Sequence, residues 1–514
     1  MALSNLVNNL EESVTLSASA RAKQLKAEGR DILMLTLGEP DFVTPNNIAT
    51  AAKEAIDSGK SSFYTQAEGL PELKDAVGSY FERYYGYGVS HEQVVITTGA
   101  KFALYAFFAA VLDLGDEVII PTPYWVSYAE QVKMVGGKPV FAVATQENNF
   151  KITTEQLEEV VTGSTKVLIL NSPSNPTGVI YTAEELTLLG NWAVAHGILI
   201  LADDIYGRLV YNANQFTPIS TLSEEIRNQT IVINGVSKTY AMTGWRIGFA
   251  TGNPEIIGAM SKIVSQTTSN PTTVAQYAAI EALNGDQTEA ENMRAEFEKR
   301  LNMLLPLINE IRGFEAIKPQ GAFYLFPKVS EAMAIKGFSN VTAFCDDILE
   351  KTGVALVTGA GFGASQNLRL SYATDFETLF EAVNRLKEYM GREFFRSNFN
   401  VMMYVEDVAE SVKFWGSIGF SAQILDENSA DIKSSADADV TFTLYKKDIV
   451  RQISPEAADS VPSLLLQTED LDDLYQKLVE LNHAAGEIVD APGLGRVFNF
   501  TDPDGNFYAV RESK

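Results

Sequence analysis

The chain has 514 residues, more than one hydrophobic core can organise and enough for two or three domains. With 46% hydrophobic and 21% charged residues it has the composition of an ordinary soluble globular protein, and no apolar run approaches the length that crosses a bilayer. A net charge of −26 argues against nucleic acid and anionic membranes as partners, and the single cysteine, Cys345, cannot form an internal disulfide, which suits a reducing cytoplasm.

The first stretch, MALSNLVNNLEESV, carries acidic residues and no basic region, so no secretory leader is expected. From about residue 30 to residue 250, short apolar runs alternate with helix-like segments. The candidate strands are VVITTG (94–99), DEVIIP (116–121), KPVFAV (138–143), KVLILN (166–171), GILILAD (197–203), TIVING (230–235) and RIGFAT (246–251). Several are apolar throughout, as strands covered on both faces should be. Pieces such as AEELTLLGNWAVAH read as helices. This alternation predicts an α/β fold with a largely parallel sheet and ligands at the carboxyl ends of its strands. Residues 275–390 are richer in helical periodicity and end with FETLFEAVNRLKEYMG. GREFFRSN (391–398) reads as a linker. Beyond it, VMMYVEDVAESVKFWGSIGF (401–420) and SLLLQTEDLDDLYQKLVELN (463–482) repeat one order: strand, acidic turn, amphipathic helix. Two similar modules in a separate domain are expected.

Chemistry concentrates in NGVSKTYAMTGWRIG (234–248). A lysine just after a buried strand, with an arginine eight residues on, can serve an anionic aldehyde: Lys238 forms a Schiff base and Arg246 binds phosphate. Taken singly, a lysine is usually a surface solubiliser. LADDIYGRL (201–209) puts Asp203 at a strand end, with Tyr206 three residues on, which alone would read as a helix cap beside a packed tyrosine. NSPSNPTG (171–178) alone would be a turn. TTGAKFALYAFFAAVL (97–112) is a strand, a tight turn and a long helix, whose first amides, at Gly99, Ala100 and Lys101, make a phosphate site.

Together, in one collinear order over roughly residues 1 to 390, these motifs resemble class I pyridoxal-phosphate-dependent aminotransferases of fold type I. The resemblance implies a large cofactor-binding domain of about 45–285 and a small α+β domain built from the N-terminal segment and about 286–390. It makes Asp203 the partner of the ring nitrogen, and Tyr206 and Asn175 the partners of the phenolic oxygen. Trp125 in PYWVSY stacks on the ring. Tyr64 in SSFYTQAEGLPEL reaches the phosphate of a neighbouring subunit, so a homodimer with shared sites is implied. Arg369 in LRLSYA clamps the substrate α-carboxylate, beside the backbone of Gly38 in LTLGEPDF. One departure stands out: many relatives have Ser or Thr three residues before the lysine, where this chain has Gly235, and Ser237 is the candidate to compensate.

Within that family the chain resembles the bacterial aspartate aminotransferase subgroup, which reads the distal carboxylate with a lysine and a threonine, here Lys101 and Thr15. The implied reaction is ping-pong amino transfer from an amino acid to a 2-oxo acid, most simply aspartate with 2-oxoglutarate. Relatives also take prephenate or aromatic keto acids, and alanine is a further candidate donor. A lyase on the same fold is the alternative reaction. A non-catalytic transcription regulator is disfavoured, because such proteins carry a basic N-terminal DNA-binding domain.

The last segment, 399–514, resembles the glyoxalase/bleomycin-resistance (vicinal-oxygen-chelate) superfamily, with TDPDGNFYAV (501–510) matching its DPDGN turn. The family's metal-ligand positions correspond to Asn400, Ser463 and Ala509, none a good ligand. Of the chain's three histidines, His91, His196 and His483, only His483 falls here, in an expected loop. A metal-free binding or dimerisation module is expected.

Overall fold

The computed structural model describes residues 3–8, 10–391, 400–435, 438, 440–453, 464–468, 470–491 and 495–512. The chain divides into two compact units, Met1–Arg392 and Glu393–Lys514. Of the expected linker 391–398, only Gly391 lies among the described residues.

The first unit is organised by seven strands: β1 (Val94–Thr97), β2 (Glu117–Thr122), β3 (Lys138–Val143), β4 (Thr165–Asn171), β5 (Leu199–Asp203), β6 (Thr230–Gly235) and β7 (Gly248–Thr251). Their order is β1-β7-β6-β5-β4-β2-β3. β7 runs antiparallel to β1 and β6, and every other pairing is parallel. The continuous apolar runs have a simple cause. In β4, Val167 and Ile169 pack into the core shared with α1 (Ala100–Val111) and α2 (Ser127–Met134). Leu168 and Leu170 turn to the opposite core, beside Leu189 and Trp192 of α3 (Ala183–His196). Helices cover both faces, so neither side of the strand can be polar.

Three strand boundaries move by two residues from the sequence expectation, each for a backbone reason, and those of β2 and β4 move by one. β1 stops at Thr97 because the chain turns at Gly99, whose φ is 82°. β5 begins at Leu199 because Gly197, at φ 67°, closes α3. β7 begins at Gly248 because Arg246 adopts φ 59°. α3 itself matches its sequence segment. Thr182 accepts from the amide of Glu185 at 3.2 Å while the Glu185 carboxylate accepts from the Thr182 amide at 2.7 Å, a reciprocal N-terminal cap.

A second core gathers Phe297, Leu301, Phe323, Tyr324, Leu368 and Leu370 with Ile205 and Tyr206, so it reaches the end of β5. Its short antiparallel strand Leu368–Ser371 carries Arg369. The N-terminal segment joins this part of the chain, since Leu33–Met34 pairs in parallel with Val354–Ala355. Among the described residues, no helix is long and apolar enough to cross a membrane.

The second unit bears out the internal repeat. β8 (Asn400–Val405), α4 (Val408–Ser417), β9 (Ser421–Asp426), β10 (Ser429–Lys433) and β11 (Thr441–Lys446) form one module. β12 (Leu465–Thr468), α5 (Leu471–Glu480), β13 (Ala484–Ala491), β14 (Gly495–Thr501) and β15 (Phe507–Glu512) form the other. The sheets have the same order, β8-β11-β10-β9 and β12-β15-β14-β13. The acidic turns cap the helices: Asp407 accepts from the Glu410 amide at 2.9 Å and Asp470 from the Asp473 amide at 3.0 Å. One core joins the modules through Trp415, Phe500 and Tyr508. In the DPDGN turn, Asp502 accepts from the Asn506 amide at 2.9 Å and from the Tyr508 hydroxyl at 3.0 Å. His483 lies between α5 and β13, its ring 4.5 Å from that of Phe414. Ala509 sits in β15, whereas Ser463 and the side chain of Asn400 lie outside the described residues.

Candidate active site

The carboxyl ends of β4, β5 and β6 open on a cavity of about 340 Å³. Lys238, Asp203, Tyr206, Asn175, Trp125, Arg246, Ala100, Lys101, Ser237, Gly38, Arg369 and Thr15 all line it. The tight turn at Gly99 lies just beneath. A methyl group added there would come within 2.3 Å of the Arg246 guanidinium, so only glycine lets that cation close over the N-terminus of α1. The result is an anion cradle of cation and helix amides.

Gly235 and Gly248 are register partners on β6 and β7. A Cβ on Gly248 would lie 2.2 Å from the Ala100 amide nitrogen, so the bare strand end at Gly248 lets the turn pack directly on the sheet. A Cβ on Gly235 would lie 2.9 Å from the Ile247 carbonyl oxygen, so a Ser or Thr there would need the backbone of β7 to shift. Ser237, buried, lines the cavity instead.

Asp203 ends β5 and is 4% exposed. Its Oδ2 accepts from the Tyr128 hydroxyl at 2.6 Å and its Oδ1 from the Ile205 amide at 3.3 Å. Burial pushes its carboxyl up to about 6, against the pull of those hydrogen bonds and of the Lys238 charge. Beside it, Asn171 on β4 donates to the Asp203 carbonyl at 2.8 Å and accepts from the Asn175 amide at 2.9 Å, which holds the turn carrying Asn175.

Lys238 donates to the Gly38 carbonyl at 2.6 Å. Burial lowers its amine to about 8; the charges of Arg246 and Arg369 push the same way, and Glu39 and Asp203 oppose. Arg369 is 1% exposed. It donates to the Thr36 carbonyl at 2.7 Å and to Asn175 Oδ1 at 3.2 Å, and lies 4.6 Å over the Tyr324 ring. Its Nε is buried without a hydrogen-bond partner among the described residues. The Tyr206 hydroxyl lies 2.8 Å from that of Tyr324.

At the other wall, the Lys101 ammonium sits 4.9 Å over the Trp125 ring, and the Thr15 hydroxyl is buried without a partner among the described residues. Burial and the Arg246 charge lower the Lys101 amine. Tyr64 is the one candidate that stands apart, 92% exposed and away from this cavity.

Sequence reasoning missed Tyr128, Tyr324, Asn171 and Thr36. Tyr128 and Asn171 lay inside quoted motifs, and Tyr128 follows Trp125 by three residues. Thr36 lay inside the LTLGEPDF motif, two residues before Gly38, whereas Tyr324 meets the site only through long-range packing, which leaves no local signal.

Comparison with known proteins gives two family matches. A family model described as aminotransferase class I and II matches residues 30–386, and one described as the glyoxalase/bleomycin resistance protein/dioxygenase superfamily matches residues 399–510. The chain is 65% identical over 388 residues to an asparagine--oxo-acid transaminase of Streptococcus mutans, covering 76% of this chain and 99% of that one. It is 51% identical over 390 residues to an aspartate aminotransferase of Geobacillus stearothermophilus, with the same coverage of each. Among solved structures, the aspartate aminotransferase from Thermus thermophilus with maleate has a TM-score of 0.71 at 38% identity, covering 76% of this chain and 99% of that one.

Proposed function

Because this chain belongs to the aminotransferase class I and II family, whose cofactor is pyridoxal 5′-phosphate, we propose that it transfers the amino group of aspartate to 2-oxoglutarate in the cytoplasm. One cavity gathers an amine of depressed basicity, a buried carboxylate and a buried guanidinium, and this supports the reading above any other feature. The residues fit the cofactor. The turn at Gly99 admits Arg246 and no side chain of its own, making an anion cradle, and the buried Nε of Arg369, without a partner among the described residues, is left to donate to an anionic substrate group.

When bound, pyridoxal 5′-phosphate supplies an aldehyde that captures the amino group and a ring that takes up the electrons left by the departing Cα proton. Arg246, Ser237 and the amides of Gly99, Ala100 and Lys101 hold the phosphate. Asp203 would keep a proton on the ring nitrogen, Tyr206 and Asn175 would donate to the phenolic oxygen, and Trp125 would pack against the ring. Arg369 clamps the α-carboxylate beside Gly38 and Asn175. Lys238, whose amine burial lowers to about 8, would hold the aldehyde carbon and, as a partly neutral amine, would accept the proton leaving the substrate Cα.

Lys101 and Thr15, with Trp125, read the distal carboxylate of aspartate. Asparagine is a second donor, favoured by the name of the Streptococcus mutans relative. Tyr64, exposed and off the cavity, completes the phosphate site of a second copy, so the working unit is a homodimer. The domain 399–514 acts as a metal-free binding or dimerisation module. Ala509 has no ligand atom, and no three His, Cys, Asp or Glu among the described residues could hold a metal together.

The test is keto-acid formation from a panel of amino donors plus 2-oxoglutarate, with and without residues 399–514. Oxaloacetate and glutamate formed in equal amounts are expected. No glutamate from any donor would overturn the reading, and keto acid without glutamate would mark a lyase. Stoichiometric metal in the purified full chain would overturn the metal-free reading of the last domain.

A further inference from the structure

Behind the cavity, on the opposite face of the sheet, a buried polar chain runs from β5 toward the turn that bears Lys238. Asp204 follows Asp203, so its side chain turns away from the cavity into the core containing Tyr85. The Tyr85 hydroxyl donates to Asp204 Oδ2 at 2.8 Å and accepts from Asn234 Nδ2 at 3.2 Å. Asn234 Oδ1 in turn accepts from the Gly235 amide at 2.8 Å. The Asp204 amide donates to the Ile233 carbonyl at 2.9 Å, which ties the two strand ends together. Gly235 is the last residue of β6, three before Lys238.

Asp204 and Asn234 are both nearly inaccessible to water. A buried carboxyl and amide surrounded by Tyr80, Tyr85 and Phe249 gain nothing for the hydrophobic core. Burial, with the nearby Asp203 charge, pushes the Asp204 carboxyl up to about 8, while the Tyr85 hydrogen bond pulls the other way. At neutral pH it is therefore mainly an uncharged acceptor, and it adds little negative charge beside Asp203.

We propose that Asp204 is a positioning residue: through Tyr85 and Asn234 it fixes the end of β6 at Gly235, and with it the placement of the Lys238 amine relative to Asp203. This rests on the aminotransferase reading of the site. An uncharged side chain of the same shape should serve equally well at position 204, whereas removing a link should free the strand end.

The test compares Asp204→Asn, Asp204→Ala and Tyr85→Phe in the full chain by two measurements. One is kcat and KM of the holoenzyme. The other, on the cofactor-free chain, is the pH dependence of Lys238 labelling by trinitrobenzenesulfonate, located by peptide mass. Tyr85→Phe removes a single hydroxyl and guards against mere unfolding in Asp204→Ala. The expected result is a kcat about tenfold lower in both disruptive variants, with KM nearly unchanged, because a small misplacement of a reacting group is costly. Their Lys238 labelling profile shifts, and Asp204→Asn matches the parent in both measurements. The proposal is overturned if Asp204→Asn is as impaired as Asp204→Ala. It is also overturned if both disruptive variants keep parental kcat and labelling. Should the parent chain transfer no amino group, the functional reading falls, while the labelling profiles still decide the role of Asp204.

Discussion

Tyr128 holds Asp203 from the side: its hydroxyl donates to the carboxylate at 2.6 Å, closer than the carboxylate's other hydrogen bond, from the Ile205 amide at 3.3 Å. That donor stabilises the ionised form, which burial disfavours. Tyr128→Phe should therefore weaken retention of the cofactor by about 10-fold to 100-fold, the usual worth of a hydrogen bond to a charged group. Equilibrium dialysis of the cofactor checks this, and unchanged retention would contradict it.

The same carboxylate sets a pH dependence. The folded, cofactor-free chain keeps the Asp203 proton up to about 6, whereas an unfolded chain loses it near 3.8. Between those values the folded state binds more protons, so the contribution of Asp203 to stability falls as pH rises from about 4 to about 6. Asp203→Asn should remove that part of the slope when urea midpoints are measured across this range. An identical slope in parent and variant would count against the burial of this group.

Arg369→Lys should lower kcat/KM about 100-fold for every amino donor alike. Lysine keeps the charge but cannot reproduce the planar fork that meets Thr36, Asn175 and a carboxylate together. A loss confined to acidic donors would place Arg369 at the wrong end of the substrate.

Lys101→Ala should raise KM for aspartate by about tenfold while KM for alanine stays within about twofold, because only the larger donor brings a distal carboxylate to the cation over Trp125. Equal changes for both donors would remove its role in specificity.

Much of this was legible in the sequence because it is local. The seven strands followed from short apolar runs, and α3 from the helix-like segment AEELTLLGNWAVAH between two of them. The strand ends were less legible, since the backbone turns at Gly99 and Arg246 are set by packing around the anion cradle. Asp203 and Lys238 stood out through their motifs. The tyrosines that frame them, Tyr128 and Tyr324, reach the site across 75 and 118 residues of chain from their partners Asp203 and Tyr206, a distance no motif spans. In the second unit the repeat was readable, and the identical order of its two sheets gives the reason.

Gly235 also bears on the departure from other relatives. Installing their hydroxyl as Gly235→Ser should destabilise the protein by about 1–3 kcal/mol, because the new Cβ meets the Ile247 carbonyl and the Gly248 backbone. Thermal unfolding of the holoenzyme measures it; a more stable, tighter-binding variant would show that β7 yields freely.

The central claim is most directly met by the visible absorbance of the purified chain saturated with pyridoxal 5′-phosphate and freed of excess. The parent should be yellow, with one cofactor bonded per chain, and Lys238→Ala should lose both the bonded absorbance and transamination. A well-folded parent that stays colourless, or a Lys238→Ala variant that keeps colour and activity, would contradict the account.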